Sequence, residues 1–240
     1  MKTIKHLFFY SALALLFANT SCIEDFTIRG NGIEVTEGRM VSEFDKLKSS
    51  GSFDVHITKG DTYEVVVNAE SNIIPYIETY VTGSTLNIDI RGLHNVKNRL
   101  PMEVYVTVPT IRSIKQSGSG IITSDYFTVD NFEVFISGSG KISTAVDAGQ
   151  VHASISGSGE LEISGEAGTT EYSVSGSGRI LSYNLDCFDC YAAISGSGNI
   201  YVNASNSLKA SISGSGSVFY YGSPSLESHI SGSGKIIKAN

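Results

Sequence analysis

The tetrapeptide Ser-Gly-Ser-Gly occurs seven times in the second half of the sequence, and its spacing limits the fold more than any other feature. The copies are separated by 18 to 20 residues and begin at Ser117, Ser137, Ser156, Ser175, Ser195, Ser213 and Ser231. A fixed period of this length is typical of repeat architectures, in which every copy forms one structural unit.

Branched apolar residues flank these copies. The position directly before the motif is Ile or Val in every copy except the first, which has Gln116, and the second position after it is always Ile, Leu or Val. Such residues suit a pleated, buried surface. Between Val151 and Ile163, apolar residues and glycines alternate with polar residues and serines through the motif. Because side chains of a strand alternate between its faces, we expect both glycines to point inward and both serines outward.

A unit of strand, glycine corner, strand and return loop cannot bury its apolar face alone and needs a copy above and below it. Residues 111–240 are therefore predicted to form a parallel β-solenoid with one turn per repeat. With strands ~4.8 Å apart, seven turns would give a rod on the order of 30 Å long. The outward serines, which form ladders along the rod and are the candidate binding surface, are Ser117, Ser119, Ser137, Ser139, Ser156, Ser158, Ser175, Ser177, Ser195, Ser197, Ser213, Ser215, Ser231 and Ser233.

Residues 41–110 lack the repeat but contain alternating apolar segments. Four strands are predicted around residues 53–57, 63–67, 86–90 and 102–108, in an antiparallel or mixed sheet with one buried face. Because a bare terminal turn would expose its core and its strand edge, this region is predicted to cap the solenoid. No flexible linker follows Pro109, so residues 41–240 are expected to form one continuous body.

The N-terminus reads as a targeting segment. Lys2 and Lys5 precede an apolar run that is too short to span a bilayer, which is typical of a secretory signal. Residues 1–21 followed by Cys22 resemble a bacterial lipoprotein signal, which implies lipidation of Cys22 and anchoring to a membrane; ordinary cleavage near Cys22 is the alternative. Residues 22–40 are predicted to be a tether.

The combined pattern resembles the putative auto-transporter adhesin head GIN domain family. It consists of the Phe53-x-Val-x-Ile strand, the Leu86-x-Ile-x-Ile strand, the Val104-x-Val-x-Val-Pro109 strand, the repeated Ile-Ser-Gly-Ser-Gly-x-Ile unit, and Tyr220-Tyr221-Gly222-x-Pro224 before the last copy. The resemblance covers about residues 41–240. It implies a right-handed parallel β-helix on a secreted or surface lipoprotein, and it supplies no catalytic residues.

Several chemical functions are disfavoured by the sequence. The net charge of −7, without a basic patch, argues against nucleic acid as a partner. Neither a cofactor nor a metal site is predicted. Glu160 and Glu162 share an outward face and are the one carboxylate pair considered for acid–base chemistry, with a solvated face as the alternative. Cys187 and Cys190 either form a disulfide, which would need a tight turn between them, or remain two thiols.

The third position after each motif should face outward. It is polar in the first three copies and apolar in the last four, which have Leu181, Tyr201, Phe219 and Ile237. A continuous apolar stripe of this kind usually marks an interface, unless return loops cover it. The sequence therefore predicts a non-catalytic lipoprotein of the cell surface or periplasm that presents a binding or adhesin-like face to a glycan or a protein. The alternatives are a rod that self-associates into a homo-oligomer and, less favoured, an enzyme acting on extracellular polysaccharide.

Overall fold

The computed structural model describes residues 27–92 and 95–239. Across this part of the chain, regular structure consists of strands and one short 3-10 helix, Ile74–Tyr76. Strands of the N-terminal half are β1 (Thr27–Arg29), β2 (Glu34–Arg39), β3 (Lys46–Gly51), β4 (Asp54–Lys59), β5 (Glu64–Glu70), β6 (Ile77–Thr82), β7 (Thr85–Ile90), β8 (Asn95–Lys97) and β9 (Glu103–Val108). Those of the repeat half are β10 (Ser113–Gly118), β11 (Ile121–Gly138), β12 (Lys141–Gly157), β13 (Glu160–Gly176), β14 (Arg179–Gly196), β15 (Asn199–Gly214), β16 (Ser217–Tyr221), β17 (Ser225–Gly232) and β18 (Lys235–Lys238).

The repeat half is a parallel β-solenoid of about seven turns, as the sequence predicts. Each motif pairs in register with the motif of the next turn, so that Ser137 lies beside Ser156 and Ser156 beside Ser175. We call the stretch before each motif the leading wall (113–118, 131–138, 150–157, 169–176, 189–196, 207–214 and 225–232) and the stretch after it the trailing wall (121–124, 141–144, 160–163, 179–182, 199–202, 217–220 and 235–238). A break in the pairing, at Gly149 and Gly168 for example, separates the leading wall from the preceding part of the turn.

The interior of the solenoid is filled by stacked columns of branched side chains. Ile136, Ile155 and Val174 form one such column, and each is at most 2% exposed. Ile142, Leu161 and Ile180 form the matching column of the trailing wall and are fully buried. The columns predicted on both sides of the motif are therefore the two faces of one continuous core.

The motif makes the corner between the two walls. Its second glycine is buried, as predicted, and both serines of most copies are exposed. The first glycine has a conformation that parity alone does not predict. Gly157 has φ of +116°, and a Cβ on it would approach the carbonyl oxygen of Gly138 in the preceding turn to 2.6 Å. This glycine is therefore required by its backbone conformation and by the close stacking of the corners.

A divergent corner precedes the seven motifs. Ser50 and Gly51 pair with Ser117 and Gly118, and Gly51 has φ of +125°. The position equivalent to the second glycine is Phe53, which is fully buried. Among the described residues, no further corner of this type packs against the other side of this first corner. The Phe53 side chain therefore has space that a side chain at the same position of a later turn would lack.

The N-terminal half closes one end of the solenoid. The mixed sheet predicted there is present: β7 and β9 continue the walls in parallel over β3 and β4, while β6, β5 and β2 add antiparallel strands. The 3-10 helix contains Pro75, and Ile73, Ile74 and Ile77 around it are buried and cover the end of the core. The region from Thr27 to Arg39, which we expected to be part of a tether, contributes β1 and β2 to this fold.

A buried carboxylate holds this end together. Glu70 is fully buried, and its carboxylate accepts hydrogen bonds from the backbone N–H groups of Gly32, Arg99 and Leu100. Burial raises the pKa of Glu70, but these hydrogen bonds and the charge of Arg99 outweigh it, so the pKa lies below its ordinary value. Glu70, the last residue of β5, thus joins two loops that are distant in the sequence.

Candidate binding surface

The serine ladders are held rigidly at the corners. The backbone N–H of Ser158 donates to Gly138 O at 2.9 Å, and the N–H of Ser177 donates to Gly157 O at the same distance. Within residues 27–92 and 95–239, no motif serine hydroxyl hydrogen-bonds to another side chain or to the backbone. The hydroxyls therefore form rows that repeat every ~4.8 Å and can bond to a ligand without breaking an existing contact.

A shallow groove lies on the outer face of the leading wall in the later turns, one outward column away from the first serines of the motifs. Its floor is the column two residues before the motif, with the small side chains Ser173, Ala193 and Ser211, and Ser154 continues this column toward the N-terminal end. Between Glu171 and His229 the groove encloses about 300 Å³. Because the floor residues are small, a ligand can approach the backbone of the wall closely.

The side of the groove opposite the serines is aromatic and charged. Tyr191 is 44% exposed, and Lys209 Nζ lies 5.9 Å from the centre of its ring. Lys209 Nζ also donates to the Glu227 carboxylate at 3.2 Å, and this hydrogen bond raises the pKa of Lys209. The groove thus combines hydroxyls on one side with an aromatic face and fixed charges on the other.

Larger side chains limit the groove at its N-terminal end. The floor column continues into Phe135, whose ring lies 5.5 Å from His152 and 4.6 Å from Lys115 Nζ. Phe135 also lines a second depression of about 270 Å³, which extends from Ser117 to Ser156. At the other end of the floor stands His229.

The predicted apolar stripe lies on the outer face of the trailing wall. Leu181, Tyr201 and Phe219 are half-buried, and Ile237 is 36% exposed. The rings of Tyr201 and Phe219 stack at 4.8 Å with an angle of 7° between their planes. Tyr183 packs beside them, 5.4 Å from Tyr201 and 4.2 Å from Tyr221. No return loop of the described residues buries this column, so the stripe is part of the surface.

Both carboxylates of the candidate pair, Glu160 and Glu162, form ion pairs with basic side chains. Lys141 Nζ lies 3.1 Å from Glu160 and 3.4 Å from Glu162, and Arg179 Nη2 lies 2.5 Å from Glu160. The hydrogen bond from Lys141 lowers the pKa of Glu160, and the one from Arg179 lowers it further. Burial alone would raise this pKa, but the two hydrogen bonds outweigh it. A general acid of a glycosidase needs a raised pKa. The pair therefore has the chemistry of a surface ion-pair network.

Cys187 and Cys190 are both buried free thiols. The pairing shifts register between Cys187 and Asp189, and Phe188 projects outward there with 58% exposure. This turn places both sulfur atoms on the interior side, whereas a straight strand would place them on opposite faces. The Cys187 thiol donates to Asn203 O at 3.2 Å. The hydrogen bond between the two thiols lowers the pKa of Cys187 and, together with burial, raises that of Cys190. The disulfide stays a prediction.

A sequence profile described as "Putative auto-transporter adhesin, head GIN domain" matches residues 43–224, which is more than half of the chain. The chain belongs to this GIN domain family. The resemblance carried by the strand segments and the repeated motif is thereby confirmed. Among curated proteins, no sequence matches.

Solved structures show the same fold. A putative adhesin from Bacteroides fragilis is 25% identical to this chain, with a TM-score of 0.84 over 88% of this chain and 100% of the other. A putative lipid binding protein from Parabacteroides distasonis is 24% identical, with a TM-score of 0.74 over 89% of this chain and 100% of the other. A putative adhesin from Parabacteroides merdae is 19% identical, with a TM-score of 0.72 over 89% and 99% of the two chains. The last two likenesses concern the fold alone.

Sequence reasoning identified the serine ladders and the apolar stripe of this GIN domain but missed the groove. The sequence signal of the groove is the position two residues before the motif. Its side chain is small in four successive copies and bulky in the copies before and after them. Cys22 and the predicted signal segment lie outside the described residues. No helix that the structure describes is long and apolar enough to cross a membrane.

Proposed function

We propose that this GIN domain protein is a non-catalytic binding protein of the bacterial cell surface, and that the groove of the leading wall holds an extended carbohydrate chain. The observation that carries the proposal is the exposed, small-residue floor between a row of free hydroxyls and the ring of Tyr191. A lipid on Cys22 would anchor the rod to the membrane.

The repeat of the groove supports a chain-like ligand. Hydroxyls spaced ~4.8 Å apart along a straight line present the same donor and acceptor at each turn. This spacing is similar to the length of one monosaccharide unit in an extended glycan. Consecutive sugar units could therefore meet consecutive serines, as a compact ligand could not.

The aromatic side supports a sugar in preference to a purely polar ligand. Tyrosine offers an apolar ring face with a polar tip, and sugar rings have apolar faces of C–H groups. Tyr191 is exposed and faces the groove, while Lys209 and Glu227 are already paired with each other. Glu171, which lies beside Tyr191 in the same groove, contacts His152 at 3.3 Å and has no lysine or arginine partner among the described residues. The groove therefore disfavours an acidic glycan and suits a neutral one.

The ion-paired state of Glu160 and Glu162 supports a non-catalytic role. The family description and the names of similar structures, which are adhesins in two of the three cases above, support a role in attachment. Loss of polysaccharide chain length on incubation with the protein would contradict this part of the proposal.

The test is a glycan array probed with residues 23–240, followed by titration of the strongest ligand. Ala193→Trp fills the groove floor and should abolish binding, and Tyr191→Ala should weaken it at least ~10-fold, as loss of a buried aromatic contact does. Tyr126→Ala is the matched control for the latter, because Tyr126 is 47% exposed and lies outside the groove. Equal binding by Ala193→Trp and the unmodified chain would refute the assignment of the groove.

A further inference from the structure

The last turn that the structure describes has an unpaired outer strand edge, whereas Ile73, Ile74 and Ile77 cover the core at the other end. The last leading wall, β17, pairs with β15 on one side, and β18 pairs with β16. Within the described residues, no strand pairs with the outer edge of either. Exposed strand edges are templates for pairing with another chain.

The side chains at this end continue the core. Leu226 extends the column of Leu208, and Ile230 extends that of Ile212. Leu208 and Ile212 are at most 1% exposed, whereas Leu226 and Ile230 are 46% and 41% exposed. The open end therefore combines unpaired backbone groups with apolar side chains in core positions.

The order of residues in β17 is self-complementary. We propose that two copies of this chain associate end to end through antiparallel pairing of β17 with itself, centred on Ser228. In this register Leu226 lies opposite Ile230 of the second copy on the inner face, and Ile230 opposite its Leu226. On the outer face Glu227 lies opposite His229 of the second copy, and His229 lies opposite Glu227 of that copy.

Both faces favour this register physically. Directly opposed apolar pairs stabilise antiparallel strands, and the Glu227 carboxylate can accept a hydrogen bond from the His229 ring N–H, whereas like charges destabilise such strands. A register shifted by one residue would set Leu226 against outward-facing residues and lose both matches. Because each contact occurs twice about a two-fold axis, the arrangement is a closed dimer.

The isologous contact limits the assembly to two copies, because each copy uses its β17 edge once. A head-to-tail arrangement would instead pair β17 with an outer strand of the N-terminal sheet, such as β6, and would not close at two copies. One turn of about 18 residues at ~3.3 Å per residue, with a wall roughly 10 Å thick, would bury about 1,200 Å² in total. This area is at the lower end of the range for stable interfaces, so we expect a dissociation constant of micromolar order.

The dimer would also bring the two grooves together. Glu227, Ser228 and His229 line the C-terminal end of each groove. In the proposed register His229, at the end of one floor, lies opposite Glu227 of the second copy, so the two grooves meet at the axis with their floors offset by two residues. The inference from strand pairing is independent of the proposed glycan.

The experiment is sedimentation equilibrium of residues 23–240 over a range of concentrations, with circular dichroism to confirm folding. In a Lys209→Gln background, which removes the partner of Glu227 within each copy, Glu227→Lys should weaken the dimer ~10-fold, because both Glu227–His229 contacts across the axis are lost. Adding His229→Glu reverses the pairs and should restore the constant to within about threefold. Glu133→Lys is the control, since Glu133 lies in the same outward column at the other end of the solenoid.

Three results would overturn the proposal. One is a monomer throughout the concentration range, and another is a mass that grows beyond the dimer. The third is a dimer that Glu227→Lys weakens but the double variant does not restore, which would mean that the charge affects folding or solubility and not strand pairing.

Discussion

The replacement of Gly157 by alanine tests the structural role of the repeated motif. Gly157 has φ of +116°, where a residue with a Cβ is strained, and the added Cβ would lie 2.6 Å from the Gly138 carbonyl oxygen. That oxygen accepts the hydrogen bond from the Ser158 N–H. Backbone strain of about 1–3 kcal/mol and a weakened hydrogen bond of about 1 kcal/mol together predict a loss of about 2–4 kcal/mol.

Two other glycines separate these contributions. Gly32 has φ of +77° but no atom within 4 Å of an added Cβ, so Gly32→Ala should show only the conformational strain. Gly38 has neither feature, and Gly38→Ala should change the free energy of unfolding by less than about 0.5 kcal/mol. Urea unfolding followed by circular dichroism gives all three values. If Gly157→Ala unfolds at the same urea concentration as Gly38→Ala, the close stacking of the corners is not what requires glycine.

Three further predictions concern buried polar groups. Because folding lowers the pKa of Glu70, the ionised side chain stabilises the fold above its ordinary pKa, and this effect is lost as the pH falls through the folded value. Glu70→Gln should therefore melt at a lower temperature than the unmodified chain at pH 7. Between pH 7 and about pH 3.5, however, the variant should lose less stability than the unmodified chain. Gln116 has a buried Oε1 without a hydrogen-bond partner in the part of the chain that the structure describes, while its Nε2 donates to Gly120 O. Because Gly120 O also accepts from the Lys141 N–H at 3.0 Å and keeps that partner, Gln116→Ile should raise the free energy of unfolding by about 1 kcal/mol in the same urea assay. Cys187 and Cys190 should resist alkylation in the folded, reduced chain and react fully in urea, as counted by mass spectrometry; rapid alkylation of the native chain would contradict their burial.

Most of the solenoid could be predicted because its signals are local and repeated. The spacing of the motif sets the length of a turn, and Ile155 and Leu161 on either side of it mark the core by simple alternation. The apolar stripe of Tyr201 and Phe219 follows from the same alternation. Each of these inferences uses only the position of a residue relative to the nearest motif.

What the sequence did not predict depends on contacts between distant residues or on backbone geometry. The hydrogen bonds of Glu70 come from loops around Gly32 and Arg99, which no periodicity relates. The divergent corner at Gly51 matches three of the four motif residues, with Phe53 in place of the second glycine, and it lies outside the run of regularly spaced copies. Cys190 faces inward with Cys187 because the chain turns at Phe188, and this turn has no local signature. The groove needed the small floor residues to be compared between copies, since each of them alone is unremarkable.

The central claim, that this GIN domain protein presents its binding surface outside the cell, is tested most directly by antibody labelling of intact bacteria. An epitope inserted between Gly83 and Ser84, in the turn between β6 and β7 at the surface, would report the position of the full-length chain. We predict equal labelling of intact and permeabilised cells. Labelling only after permeabilisation would place the protein in the periplasm and contradict a role in attachment.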